Sequence, residues 1–441
     1  MKKTIFSFLV VALTMSYPPF LEARLSPQRS VLENGLVLLT SEQRALPMVT
    51  FHFLIRAGGR YDPEGREGLA HLTSRLLTYG TREKTALQIS EILDFIGASL
   101  STASGQEVAT VSLTLLKKDL ETGLDLVAEI LTASVFSSEE IERQKQSVIA
   151  SIKAKNEDPG HIAQMKFLEV LFPQSPYGRQ VEGTEDAIRK MDRAHLLQFY
   201  ERFYRPDRAI VSVVGDISHQ EIAQKLTRAL SPWKKGAAID EPRIPPPSAQ
   251  GNFVRLNKSL TQANITMGHL GIPRSHPDYY SIQVMNYILG GGGFSSRLMD
   301  SVRNERGLAY SVSSHFDAEK FIGSFQVTMQ TKNETAAEAI RIAREEIQRM
   351  RQERVGEEEL QAAKDYLIGS FPLRLDTNQA VANFLSLVEF YGLGLDYPEK
   401  YPDLIRRVSR DEVLRVAQKY LHPENLIVVV VADQKKAAIK N

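Results

Sequence analysis

The sequence predicts an α+β protein made of two copies of one unit, each a mainly antiparallel sheet with helices packed on one face. Three observations carry that expectation. The first is likeness between the halves: "FYRPDRAIVSVVGD" (203–216) reads against "YLHPENLIVVVVAD" (420–433) at an offset of 217, with Pro206 on Pro423 and Asp216 on Asp433. The same offset sets Ile188 on Ile405, Met191 on Val408 and Leu197 on Leu414, while "SEEIERQK", ending at Lys145, echoes "EEELQAAK", ending at Lys364. The second is element order, because β-like stretches precede helical patterns and a further helix leads into a β-branched run, without strict βαβ alternation. The third is a break at "KKGAAIDEPRIPPPSAQG" (234–251), where proline and glycine density rises and apolar periodicity stops. A period of about 200 residues is too long for a solenoid repeat.

In chain order, Lys2 and Lys3 precede an apolar run over 5–13 and a stretch ending "FLEA" at Ala23. This is the layout of a secretory signal peptide, too short to span a bilayer, so export to the periplasm is expected. Residues 24–233 form the first unit, 234–251 the linker and 252–441 the second unit. "VTFHFLIRAG" (49–58) reads as a strand. In "GREGLAHLTSRLLTYG" (65–80), Leu69, Leu72, Leu76 and Leu77 recur at helical spacing around His71, which makes an amphipathic helix. "AIVSVVG" (209–215) closes the first unit as a β-branched run. In the second, "GGGGFSSR" (290–297) leads into the helical pattern "SSRLMDSVRNER", and Tyr310 and Val312 follow on strand alternation.

Composition narrows the function classes. The chain has 441 residues, 43% hydrophobic and 24% charged, which suits a globular protein without a long disordered region. Its formal net charge is +1, with basic residues spread along the chain, so no nucleic-acid footprint is expected. Cysteine is absent, which removes disulfides, thiolate ligands and a cysteine nucleophile.

His71 and Arg75 stand at i and i+4, hence on one helix face. In the inverted-zincin motif H-x-x-E-H, that spacing lets two imidazoles share zinc while the glutamate activates water. Here Ser74 and Arg75 occupy the glutamate and second-histidine positions. A guanidinium has no acceptor lone pair and stays protonated, which places a fixed positive charge where a cation would sit. The other histidines show no H-x-x-x-H or H-E-x-x-H spacing. "GGGGFSSR" lacks the G-K-[ST] ending of a phosphate cradle and reads as a flexible loop before a helix. On the residues alone, Tyr310 is either a strand residue packing the same face as Val312, with Arg303 at a helix C-terminus, or a functional pair with Arg303.

The stretches "RAGGRYDPEGREGLAHL", "NEDPG" (156–160), "SPYGRQVEGTEDAI" (175–188) and "LGGGGFSSRLMDSVRNERGLAYSV" (289–312) resemble, in order and in both halves, the insulinase-type inverted-zincin metallopeptidases, specifically the processing-peptidase group. The resemblance covers nearly the whole mature chain. It implies that the third zinc ligand position falls at Ser151 and its acidic support at Gln144, so His71, Ser74, Arg75 and Ser151 would be a degenerate zinc site without metal. It also implies that Gly290, Gly291, Gly292 and Gly293 face a chamber and contact substrate, and that Arg303 and Tyr310 reach the cleft from the second unit. The expected role is the non-catalytic subunit of a heterodimer, with zinc in a homologous partner and a peptide or unfolded polypeptide between the two. A purely structural subunit and a free-standing peptide-binding module are the alternatives.

Overall fold

The computed structural model describes residues 25–247 and 250–439. The export segment expected over 1–23 lies outside the described residues. The first half runs β1 (Gln28–Val31), β2 (Val37–Glu42), β3 (Met48–Ile55), α1 (Leu69–Leu76), α2 (Ala86–Ile96), β4 (Ser99–Ser104), β5 (Ala109–Leu116), α3 (Leu120–Ala133), α4 (Ser138–Glu157), α5 (Pro159–Leu171), α6 (Glu185–Lys190), α7 (Arg193–Phe203), β6 (Ala209–Gly215) and α8 (His219–Ala229). The second half runs β7 (Asn252–Asn257), β8 (Gln262–Leu270), α9 (Tyr279–Asn286), β9 (Ala309–Ala318), β10 (Gly323–Lys332), α10 (Ala336–Gln352), α11 (Glu357–Gly369), α12 (Asn378–Tyr391), α13 (Tyr397–Arg406), α14 (Arg410–Tyr420), β11 (Ile427–Ala432) and α15 (Gln434–Ala437).

The duplication read from sequence is present in the topology. The first sheet has the order β1-β2-β6-β3-β5-β4 and the second β7-β11-β8-β10-β9, so the second repeats the first without β1. In both, one parallel pair (β2 with β6, β7 with β11) joins an otherwise antiparallel sheet. Helices α3 to α7 recur in order as α10 to α14, and the β-branched runs 209–215 and 427–432 become equivalent inner strands. Besides β1, one helix has no copy: where the first half has α2, the second has the glycine-rich segment and a wide helical turn.

The α+β class and the two mainly antiparallel sheets match the sequence expectation. The single helical face per sheet does not describe the whole arrangement. Every residue of β6 and of β11 is buried, so both faces of both sheets need cover. Each half covers the outer face of the other. From the first half, α5 lays Ala163, Phe167 and Leu171 on Val429 and Val431 of β11. From the second, the equivalent α12 lays Val381, Ala382 and Leu385 on Leu39, Leu54, Ile210 and Val214. The exchange interlocks the halves, since removing either helix would expose apolar sheet surface at about 25 cal/mol per Å².

Local chemistry fixes the ends of the elements that matter below. Asp158 caps α5 by accepting from Gly160 N at 2.8 Å, with Pro159 in the first turn, so "NEDPG" is the sharp corner between α4 and α5. Asp62 caps α1, accepting from Gly68 N at 2.7 Å and Ala70 N at 2.8 Å. Gly68 has φ of +95°, and a Cβ there would lie 2.3 Å from Glu182 O. That contact draws the 180–183 loop onto the start of α1. Among the described residues, no helix is long and apolar enough to cross a membrane.

Candidate functional site

Two clusters hold the residues singled out by sequence. The first lies where α1 packs on α4. His71 is half-buried on α1, and burial, reinforced by the nearby Arg75 and Lys155 cations and opposed by Glu182, lowers its pKa from the usual histidine value. One turn on, Arg75 donates from Nε to Gln144 Oε1 at 2.6 Å and from Nη2 to Ser147 Oγ at 3.0 Å. Ser74 points elsewhere. It is buried and donates to the Ala103 carbonyl of β4 at 2.9 Å. Ser151 is exposed on α4, one turn beyond Ser147.

This donor set does not fit zinc. Zinc takes three protein ligands in a hydrolytic site and four in a closed one, and here one imidazole is accompanied by a guanidinium, two hydroxyls and an amide. Among the described residues, no group of three or more His, Cys, Asp or Glu side chains could hold a metal ion. Sequence reasoning also missed three members of the cluster. Ser147 lies three residues after Gln144 and four before Ser151, a helical spacing that could have revealed it. Lys155 follows Ser151 by one further turn and pairs with Glu182. Burial is the largest single influence on Glu182 and works against ionising it, but the Lys155 hydrogen bond, a backbone hydrogen bond and the nearby Lys155 and His71 charges together outweigh it, and its pKa is lowered. No local signal marks Glu182, because the backbone contact at Gly68 brings it there.

A cavity of about 340 Å³ opens beside this cluster, between the halves. Ser104, Glu182, Met165, Leu168 and Phe172 line it from the first half, and from the second Asp317 at the end of β9 with Glu319 and Ile322 of the β9–β10 turn. At its edge Glu107 is buried, accepting from Tyr177 OH at 2.7 Å and from Lys320 N at 3.1 Å. Burial, then repulsion from Glu107, pushes the Glu319 carboxyl up to about 7.

The second cluster is on the other half. The glycine-rich segment is not the flexible loop expected from sequence. Residues Tyr287–Gly291 form a π-helical turn that continues α9, and Gly293–Ser295 a 3₁₀ turn. Gly290 is buried, and a Cβ there would lie 2.5 Å from Ser314 Oγ and 2.6 Å from Ser314 N of β9. It packs closely against β9, at a position where the resemblance implied a substrate contact. Gly292 likewise faces the Tyr287 carbonyl, whereas Gly291 and Gly293 are exposed, Gly293 at φ of +60°.

Arg303 sits in a second π-helical turn, Met299–Asn304, with its guanidinium 4.9 Å from the Phe294 ring centroid and 5.7 Å from that of Tyr310. Simple alternation would turn Tyr310 inward with Val312. Val312 is 1% exposed, yet Tyr310 is 72% exposed. The register explains this: Gln330 pairs with Ser311 and Thr331 with Ala309, so Tyr310 is the extra residue of a β-bulge. The bulge aims the phenol outward. The packing alternative for Tyr310 is thereby excluded, and Phe294, 70% exposed, joins the pair as a residue the sequence reading passed over.

Comparison with known proteins places this geometry. Residues 37–185 match the family described as Insulinase (Peptidase family M16), and residues 190–367 match the Peptidase M16 inactive domain. A Streptomyces coelicolor protein named an uncharacterized zinc protease is 27% identical over 401 residues, covering 87% of this chain and 86% of that one. A non-peptidase homolog from Helicobacter pylori is 26% identical over 417 residues, covering 94% and 96% respectively. Among solved structures, a peptidase M16 inactive domain from Pseudomonas fluorescens superposes with a TM-score of 0.87 at 26% identity, over 92% of this chain and 98% of that one. A protease from Helicobacter pylori superposes at 0.85 with 19% identity, over 92% and 99%, and shares the fold.

Proposed function

The chain belongs to the insulinase (M16) family of peptidases, and on that premise we propose that it is the non-catalytic subunit of a heterodimeric zinc peptidase. The observation that carries this reading is Arg75, whose guanidinium spans Gln144 and Ser147 where the family's second zinc-binding histidine belongs. The chain cannot assemble a hydrolytic zinc centre from one imidazole. Zinc is assigned to a homologous partner subunit, and the two chains close on a peptide or unfolded polypeptide.

Arg303 and Tyr310 are this chain's contribution to the reaction. An outward phenol and an adjacent guanidinium, which among the described residues forms no ion pair, are donors suited to a peptide carbonyl whose oxygen gains negative charge as the carbon is attacked. Phe294 stacks on Arg303 and limits its rotamers. The exposed Gly291 and Gly293 allow a substrate backbone to approach closely. The N-terminal export pattern supports a periplasmic location for the pair.

The test is reconstitution with an M16 chain that carries an intact H-x-x-E-H and is encoded beside this one. Separately, each should cleave a quenched fluorogenic peptide poorly. Mixed and purified as a complex, they should gain orders of magnitude in turnover. A zinc chain that is fully active by itself, and unchanged by adding this one, would refute the shared site.

A further inference from the structure

The charge balance around α1 and α4 is uneven in a way that bracing two helices does not explain. Arg75 gives its Nε and Nη2 hydrogens to Gln144 Oε1 and Ser147 Oγ, both neutral acceptors. The neighbouring carboxylates are engaged by other cations: Glu140 by Arg143, Glu142 by Lys145 and Glu182 by Lys155. Among the described residues, none forms an ion pair with Arg75. A neutral side chain would brace the helices as well, without the desolvation that a partly buried guanidinium incurs. Two fixed cations, Arg75 and Lys155, stand beside His71 against the single carboxylate of Glu182.

The hydrogen-bond inventory leans the same way. With one lone pair of its carbonyl oxygen taken by Arg75, Gln144 keeps both amide hydrogens as donors. Ser147 Oγ accepts from Arg75 and still carries a hydrogen that it can donate. Ser151 presents a further exposed hydroxyl on the same α4 face, by the spacing 144, 147, 151. An open site rimmed by donors and carrying surplus positive charge suits an anion with a planar pair of oxygens, which a guanidinium holds through two parallel hydrogen bonds. The adjoining cavity, apolar at Met165, Leu168 and Phe172, has room for the residues attached to that anion.

We infer that the α1–α4 site binds a peptide carboxylate, with Arg75 as its charge partner and Ser147 and Ser151 as hydroxyl donors. The cation site of an active relative would thus be inverted into an anion site. The carboxylate could belong to the C-terminus of a peptide or to an acidic side chain; the chemistry is shared and the test separates the sources. The inference does not need a zinc-bearing partner, so it can fail while the shared-site reading survives, and the reverse.

The experiment uses the full mature chain alone, with three probes followed by side-chain Nε–Hε nuclear magnetic resonance of the arginines: acetyl-trialanine free acid, acetyl-trialanine amide and acetyl-Ala-Glu-Ala amide. The Arg75 resonance, assigned by its loss in Arg75→Gln, should move saturably with the free acid, with the glutamyl amide or with both, and not with the neutral amide. The probe that moves it identifies the source. Arg75→Gln should weaken the responding probe, read on the backbone amides of α4, at least about tenfold, as expected for a charge-assisted hydrogen bond. Ser147→Ala, at an exposed helix position that tolerates alanine, should weaken it about threefold or more, and Arg75→Lys should retain most of it. The inference is overturned if no carboxylate probe moves Arg75, if the neutral amide moves it equally, or if affinity is unchanged in Arg75→Gln. Should Arg75→Gln fail to fold, unchanged affinity in Ser147→Ala would have the same force.

Discussion

Arg75 and Gln144 are joined by a 2.6 Å hydrogen bond from guanidinium to side-chain amide, linking α1 to α4 where the sequence resemblance puts the metal-ligand positions of M16 peptidases. Neither side chain suits zinc in that arrangement: the guanidinium has no lone pair to give and carries a fixed positive charge, and the neutral amide oxygen already accepts from it.

The first prediction follows for metal content. Dialysed protein should carry well under one zinc per chain by elemental analysis, and Ser74→Glu by itself should leave that value and peptide hydrolysis unchanged. The combination of Ser74→Glu, Arg75→His and Ser151→Glu supplies, with His71, three ligands and a base, and should retain zinc through dialysis. Stoichiometric zinc in the unaltered chain would contradict the reading of the site.

For the second cluster, Tyr310→Phe removes one hydroxyl from an exposed bulge position and leaves the ring over Arg303. The complex with the zinc subunit should still form by size-exclusion chromatography. Loss of an oxyanion donor should reduce turnover by about 10² to 10³, equivalent to roughly 3 to 4 kcal/mol of barrier, and act on kcat more than on KM. A change within about twofold would return this chain to a structural role.

Gly290→Ala tests the packing assignment. A methyl there must push against Ser314, whose Oγ also donates to Asn286 Oδ1 at 2.8 Å, so both β9 and the end of α9 would shift. A loss of about 1–3 kcal/mol is expected from chemical denaturation, the range for overpacking a filled site. Unchanged stability would show that the turn yields, and would reopen a surface role for Gly290.

Glu319 makes the seam between the halves sensitive to pH. Folding raises its pKa from 4.5 to about 7, so the folded chain holds a proton that the unfolded chain has lost between those values. Stability therefore falls as pH climbs through that window. Glu319→Gln should be more stable than the unaltered chain at pH 8, by up to roughly 3 kcal/mol, and the difference should vanish below about pH 4.5. Denaturant midpoints across pH 4 to 8 give the measurement; equal stability at pH 8 would mean that the carboxylate is not penalised there.

Much of the architecture was legible because its signals are local or repetitive. The 217-residue echo and the β-branched runs 209–215 and 427–432 predicted paired inner strands, and the leucines around His71 predicted α1. The second cluster was legible only by resemblance. Alternation put Tyr310 in the core, and a bulge that depends on how β10 registers against β9 put it outside.

What the sequence determined by itself is chemical identity: two related units, and one histidine where a zinc centre needs more, since substituted side chains cannot supply lone pairs they lack. Only the tertiary structure decided which distant groups meet. It crossed α5 and α12 between the sheets, because strands apolar on both faces must be covered by whichever helix arrives. It brought Glu182 beside His71 through the close approach at Gly68, and Ser147 rather than Ser151 under Arg75 through the rotation of α4. Those contacts join residues tens of positions apart, where periodicity no longer constrains distance and packing does.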